Sequence, residues 1–472
     1  MLRSIVVLAF SALVSSLTVG CAPVGPNYKR PELQPPSAYR FVQEPAQAQS
    51  LADLPWWEVF DDTALQSLVW EAVANNLDVR VAAARVEEAR ARAGIAKSFL
   101  YPQIDGTASY GLRVSTSTAK DNGLGDNDDH VRQSAVIGAG LSWELDLFGR
   151  IRREHEAALA IVLATEQGRR GVFVTLVADV ASNYFLLREL DQQLEIARAT
   201  LRINDDTVTY FRNRLDGGVS NRLELDRIQA LRSETAAAIP QLENQIAVIE
   251  NALSLLLGRG PSSIDREGNP LEMLPPAVPI GLPTSLLERR PDVVEAEQLL
   301  VAANADIGAA RALFYPTISL TGFGGAVGAD LSKFLGGTGA IWSVGAGLLQ
   351  PIYNGGRNKA NLAAAQARFD QALAQYQKAA LNGYREVADA LVTIQKLEVV
   401  RTERQAAVTV LLDAADLARS RYDSGLASYI EILTADQDLF QRQLLLAQTR
   451  GDELRARAEI YRALGGGWQQ LP

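Results

Sequence analysis

The chain has 472 residues, 47% of them apolar and 21% charged, which gives ample material for a core and no compositional case for bulk disorder. A formal charge of −9, with 46 basic residues scattered rather than clustered, argues against nucleic-acid binding, which calls for a basic face. The single cysteine, Cys21, forbids an internal disulfide; with only His130 and His155 beside it, a Cys/His metal site has almost nothing to build from, although a carboxylate-only site stays open.

In chain order, residues 1–20 read as a signal peptide: Arg3 makes the positive start, and Ile5 to Val19 form an uncharged core ending in small residues. That core is short for a membrane-spanning helix, which needs roughly 20 residues. Cys21 directly follows Gly20, an arrangement that resembles a bacterial lipobox with Thr18 where Leu is usual. Diacylglyceryl and N-acyl chains on Cys21 would supply more than one anchor, enough for stable membrane attachment. Residues 21–62 are then an extended, lipidated segment, and Ala22 after the cysteine resembles outer-membrane sorting.

The prolines divide the remainder. Seven of the 19 fall between Pro23 and Pro55 and seven more between Pro261 and Pro291, marking extended stretches because proline fixes φ and donates no backbone hydrogen bond. The two flanking segments, 63–260 and 284–465, repeat each other across a linker at 261–283, with a tail at 466–472. Leu100-Tyr101-Pro102 matches Phe314-Tyr315-Pro316. From Gly149-Arg150 against Gly356-Arg357 onward an offset of 207 persists through Arg214/Arg421, Gly218/Gly425, Glu224/Glu431 and Leu257-Gly258/Leu464-Gly465. A period this long is a duplication.

Each repeat predicts a helix (about 63–99 and 284–313), a β-hairpin (about 101–148 and 315–353), a long helix (about 149–215 and 356–423), a glycine turn and a shorter helix. The strands rest on alternation, as in Ala135, Ile137, Ala139, Leu141, Trp143, Leu145 and Leu147, and again in Trp342, Val344, Ala346 and Leu348. The long helices rest on the absence of proline from Ile352 to Leu471 and on a seam of Phe369, Leu373, Tyr376, Ala380, Val387, Leu391 and Ile394 at 3/4 spacing. Pro240 should bend the shorter helix that holds it or relieve its local hydrogen bonding. Four strands are too few for a membrane barrel, which begins at eight, and left alone they expose sheet edges. Two, three or four pooled copies would give 8, 12 or 16 strands, and strand counting does not choose among them. A soluble coiled-coil rod would explain the helices but leave the strands unused.

These features together resemble the TolC-type outer membrane factors, specifically the NodT-like lipoprotein branch that serves tripartite, RND-type efflux systems. The likeness rests on Cys21-Ala-Pro-Val-Gly-Pro-Asn-Tyr-Lys-Arg-Pro31, Trp56-Trp57-Glu-Val-Phe-Asp-Asp62 with Leu65 and Leu68, and Asn75-Asn76-Leu77-Asp78. It continues in both Tyr-Pro junctions, Asp146-Leu147-Phe148-Gly149-Arg150 and the two Leu-Gly helix ends. The resemblance implies a mainly α protein with membrane β structure, whose homotrimer joins a 12-stranded outer-membrane β-barrel to a periplasmic α-helical barrel. It further implies a lipid-anchored efflux duct, coupled to a periplasmic membrane-fusion adaptor and an inner-membrane transporter of the RND kind. Outer-membrane lipid surrounds it, and cofactor, metal, nucleic acid and covalent chemistry have no part. An outlet duct for secretion or metal export, or a non-pore periplasmic coiled-coil lipoprotein, is the alternative. An enzyme is the remaining one, and no nucleophile–base motif stands out for it.

The turns Arg214–Asn221 and Arg421–Ser428 are equivalent under the 207-residue offset. Gly218 and Gly425 suit the left-handed residue after a helix, Asn221 and Ser428 suit the next N-cap, and Glu224 and Glu431 stand where a capping box needs an acid. The resemblance implies in addition that these turns close the tunnel. Glu431 would belong to an acidic ring, Glu224 to the closing network, Ile430 to an apolar constriction, and Arg421 and Tyr422 to interhelix latches. Three Glu431 carboxylates around one axis would favour cations. Thr434 replaces a second frequent acid and Ala427 an arginine that some members carry. Gly218, Val219, Ser220, Gly425, Leu426 and Ala427 are the candidate adaptor contacts, and Tyr101, Tyr110, Trp143, Tyr315 and Trp342 are candidates for a membrane-interface girdle or for ordinary packing.

Overall fold

A computed structural model describes residues 23–33, 57, 60, 62–115, 130–266, 289–328 and 339–466. The signal segment, Cys21, both hairpin loops and most of the central linker lie outside the described residues. The chain divides into two compact units, one of residues 1–32, 86–165 and 296–376, the other of 33–85, 166–295 and 377–472. Each unit therefore draws on both sequence repeats.

The first unit holds a four-stranded antiparallel sheet in the order β1 (Gln103–Ser115), β2 (His130–Leu145), β3 (Thr317–Gly328), β4 (Ala340–Leu349). The two predicted hairpins are thus joined through β2 and β3. Along that central seam Gly138 faces Gly325, and a Cβ added to Gly325 would lie 2.3 Å from the Ile137 carbonyl oxygen; the backbones approach too closely for a side chain there. Strand β4 is exposed along its whole length, with Trp342 81% accessible. Each strand pair is entered from a helix that ends at a Tyr-Pro junction. Backbone bonds from Tyr101 N to Ser98 O and from Tyr315 N to Ala312 O close the last turns at 3.0 Å, and Pro102 and Pro316 bias the preceding residue out of the helical region.

Helix α3 (Arg150–Asp216) starts where Asp146 accepts from the amides of Ile151 and Arg152 at 3.1 and 2.9 Å. This is the physical content of the Asp146–Arg150 motif. The segment after Cys21 is bound nearby. Val24 donates to the Phe148 carbonyl at 3.0 Å, and Arg153 donates to Asn27 at 2.8 Å. Tyr28 and Arg30 both donate to Glu297 on α5 (Pro291–Ala312), at 3.1 and 2.8 Å. Gly25 lies against Gly308 of α5 so closely that a Cβ on Gly25 would fall 2.4 Å from the Gly308 Cα. Helix α5 packs on small residues, with Ala302 and Ala305 against Ala157 and Ala160, and with Ile307 and Ala310 against Ala365 of α6 (Arg357–Asp423).

In the second unit Trp57 and Phe60 of the Trp56–Asp62 motif are buried, Trp57 edge-on to Trp70 at 5.8 Å and Phe60 against Phe185 at 4.9 Å. Asp62 caps α1 (Thr63–Asn75) through the amides of Ala64 and Leu65 and accepts from the Tyr184 hydroxyl at 2.8 Å. The helix predicted over 63–99 is two helices, α1 and α2 (Leu77–Ser98). Asn76 breaks it: its backbone is extended, its side-chain oxygen caps Asp78 and Val79, and its Nδ2 donates to the Leu256 carbonyl at 2.9 Å. That carbonyl closes α4 (Arg222–Leu256), so one side chain starts a helix and satisfies the end of another. Helix α4 runs unbroken through Pro240. The second predicted first helix begins at Pro291, the favoured residue for a first helical turn, and 284–288 fall outside the described residues. All seven residues of the α6 seam are buried or half-buried. Arg290 is fixed by Asp292, Glu386 and the Ala463 carbonyl at 2.7–2.8 Å, and the fully buried Glu453 by Arg401 and Arg457.

Substituting Asn76→Ala removes a cap and orphans a helix-end carbonyl, a loss of roughly 1–3 kcal/mol. The unfolding midpoint of the purified protein should fall accordingly; an unchanged midpoint would contradict this role.

Candidate functional site

Helix α3 turns into α4, and α6 into α7 (Tyr429–Ala463), through two loops with the same backbone bonding. Val219 N donates to Arg214 O at 2.9 Å and Gly218 N to Leu215 O at 3.0 Å; Leu426 N donates to Arg421 O at 2.8 Å and Gly425 N to Tyr422 O at 2.9 Å. Gly218 and Gly425 have φ of 70° and 72°, the left-handed conformation this helix ending requires and only glycine adopts freely. Both loops put an apolar side chain just past that glycine and leave it outside any core, Val219 64% and Leu426 71% exposed.

The two capping boxes are realised unequally. Asn221 caps α4 by accepting from Glu224 N at 3.0 Å, but the Glu224 carboxylate takes the Ser220 hydroxyl at 2.5 Å instead of completing the box. Ser428 makes no side-chain cap bond, because Glu431 N already donates to the Ser428 carbonyl at 3.1 Å. Glu431 instead faces Arg421 at 3.7 Å, a loose pair about half exposed on both sides and therefore weak and screened.

Behind the loops a core joins the two repeats: Phe211, Leu225, Ile228, Ala418, Tyr429 and Ile432, flanked by Leu215, Tyr422 and Ala435. The 207-residue offset relates Phe211 to Ala418, Leu225 to Ile432, Ile228 to Ala435 and Leu215 to Tyr422, so this is a quasi-twofold contact between duplicated surfaces. Tyr422 packs near Phe211 and Tyr429, with ring centroids 6.1 and 5.9 Å away. Ile430 lies outside this core and is 44% exposed. Further along α7, Asp436 pairs with Arg419 at 2.6 Å. Burial pushes its carboxyl above the usual aspartate range, against the pull of Arg419.

Of the sequence-derived candidates, Tyr422 enters the core, Arg421 and Glu431 meet, and Glu224 is held by Ser220. Residues 218, 219, 425 and 426 stand at the outer bends. Phe211, Arg214, Asp436 and Arg419 were not singled out by sequence, although the repeat offset pairs Arg214 with Arg421 and could have flagged it. Among the described residues no group of histidine, cysteine and carboxylates is arranged to hold a metal.

A duplicated helix–hairpin–helix chain with an open antiparallel sheet and paired long helices has the build of an outer-membrane channel subunit. The family model for outer membrane efflux proteins matches residues 68–259 and 282–466, and the chain belongs to that family. It is 35% identical to the cation efflux system protein CusC of Escherichia coli over 97% of this chain and 98% of that one. It is also 35% identical to the solvent efflux pump outer membrane protein SrpC of Pseudomonas putida over 95% and 96%. The solved structure of the outer-membrane channel OprN superposes with a TM-score of 0.86 at 30% identity, covering 94% of this chain and 99% of that one. The chain is an efflux channel protein of the bacterial outer membrane, on the TolC-type plan of strand barrel and periplasmic helical tunnel.

An acid whose pKa rises on folding makes the folded state bind protons more tightly. Stability then falls as pH rises from the unfolded pKa through the folded one and is level above it. Asp436→Asn should therefore lose less melting temperature than the parent as pH rises above about 4, the ordinary aspartate pKa; identical slopes in variant and parent would show that this carboxyl does not titrate there.

Proposed function

We propose that the chain works as a homotrimer pooling twelve strands, lipid-anchored through Cys21, and that it passes small amphiphilic molecules outward from an inner-membrane RND-type transporter through a periplasmic adaptor. The observation that carries the assembly is the open sheet. β1 and β4 each have one unpaired edge among the described strands, and a membrane leaves no water to satisfy it. The similarity to a cation and a solvent exporter is equal, so the cargo is argued from composition. Two Met, two His and one Cys offer little for handing on soft transition metals, which favour thiolate, thioether and imidazole ligands.

Within this reading the two helix turns are the periplasmic end of the duct. Glu431 contributes to an acidic ring with Ile430 beside it, both exposed and free to face an aperture; Glu224, Arg421 and Tyr422 tie the helices behind them. Gly218, Val219, Ser220, Gly425, Leu426 and Ala427 meet the adaptor, which would cover the two apolar side chains the turns leave in water. The domain plan of a signal at 1–20, an anchor segment at 21–62 and repeats at 63–260 and 284–465 completes it.

A strain lacking the gene should become sensitive to many unrelated amphiphiles and recover with the wild-type copy; sensitivity to a single metal would redirect the cargo to that ion. Purified Glu431→Ala channel in a lipid bilayer should leak more and prefer cations less than the parent. Unchanged conductance and selectivity would remove Glu431 from the aperture.

A further inference from the structure

The two arginines that open the helix turns are repeat counterparts with different surroundings. Each reaches the carbonyl past its glycine, Arg214 to Val219 O at 3.4 Å and Arg421 to Leu426 O at 3.5 Å. There the likeness ends. Arg421 turns to the exposed Glu431. Arg214 sits between two rings, its guanidinium carbon 5.5 Å from the centre of Tyr210 on its own helix and 5.6 Å from that of Tyr422 on α6. Its Nη1 donates to the Tyr210 hydroxyl at 2.9 Å, while its Nε is covered and makes no hydrogen bond, as a stacked guanidinium leaves it.

Phe211, which follows Tyr210, lies 4.0 Å from Tyr429 between ring centroids. The ring of Tyr422 is thus held by Arg214 and Phe211 from α3 and by Tyr429 from α7. No hydrogen bond from the Tyr422 hydroxyl is present among the described residues. Under the repeat offset Tyr422 corresponds to Leu215, so the aromatic acceptor exists on one side only. A guanidinium suits such a contact, because it is more weakly hydrated than an ammonium and stacks on the ring it binds.

We propose that Arg214 is a positioning residue of the gate, pinning the α3–α4 turn to the ring of Tyr422 in a cation–π latch that keeps the two halves of each protomer together in the closed duct. The inference rests on the reading of these turns as the closing end. Glu431 then sets which ions pass, and Arg214 sets how often the end opens. Glu224 lies close enough to both Arg214 and Tyr422 to influence their charge, and its bond to Ser220 keeps it from drawing the guanidinium off the ring.

The test is single-channel recording of the full-length protein in planar bilayers, with Glu431→Ala alongside and a thermal melt of each variant. Arg214→Ala should raise the open fraction by roughly two- to fivefold per protomer, the change that loss of one exposed cation–π contact makes in an equilibrium, and Tyr422→Leu, which also loses the ring contacts to Phe211 and Tyr429, by at least as much. The double variant should open no more readily than Tyr422→Leu alone. Arg214→Lys should fall between, and Tyr422→Phe, which keeps the ring, should restore closure at both low and high salt. If Arg214→Ala gates like the parent while Glu431→Ala leaks, the latch is overturned and the gate stands. If neither leaks, the gate reading beneath it is overturned. If Tyr422→Phe opens as readily as Tyr422→Leu, the hydroxyl and not the ring holds the turn, and the latch as drawn is wrong.

Discussion

An unpaired strand edge in lipid is the constraint from which the rest of this molecule follows. A peptide N–H or C=O without a partner costs several kcal/mol in hydrocarbon, and β1 and β4 each turn one edge away from the described sheet. No rearrangement inside the chain cures this, because closing a membrane barrel takes at least eight strands. In the proposed assembly that company comes from other copies, and once strands are shared, the helices that continue from them are shared too. The exposure of β4 along its whole length is then the mark of a surface made for lipid, lumen and a neighbouring strand rather than for a private core.

The helical part meets a different demand. Two 67-residue helices, α3 and α6, can stay in register only if their partners are of fixed length, which explains why the 207-residue offset survives over the whole span without a gap. Small residues set the spacing near the strands: alanine faces alanine where α5 meets α3. At the helix turns the packing is by large rings, Phe211, Tyr422 and Tyr429. Close-packed alanine leaves little freedom to shear, whereas a few rings stacked at a helix end can separate by rolling, which suits these turns to the opening proposed for them.

Much of this was legible in sequence. The duplication, the hairpins, the long helices and the glycine-closed turns follow from period, proline placement and turn chemistry, all of them local. What sequence did not show depends on distant partners. Asn76 reads as one more residue in a helical run until the Leu256 carbonyl, 180 positions away, is seen to need its amide. Ser428 has the identity of a cap but loses the role to a backbone bond. Arg214 looks like any last-turn arginine, and only its position between Tyr210 and Tyr422 sets it apart from Arg421. Motif matching found the turns; which of two equivalent residues bears on the other helix is a matter of three-dimensional asymmetry laid over a symmetric chain.

The contact of Gly25 with Gly308, and of Pro23 with Gly149, bears on what an acyl chain on Cys21 would accomplish. Pro23 is held by contact, and two residues reach at most about 7 Å. A lipid tethered so briefly is not a leash from which the protein hangs. It would be a dowel: acyl chains on Cys21 would enter the leaflet close to the base of the sheet and so index the membrane surface against the junction of strand and helix.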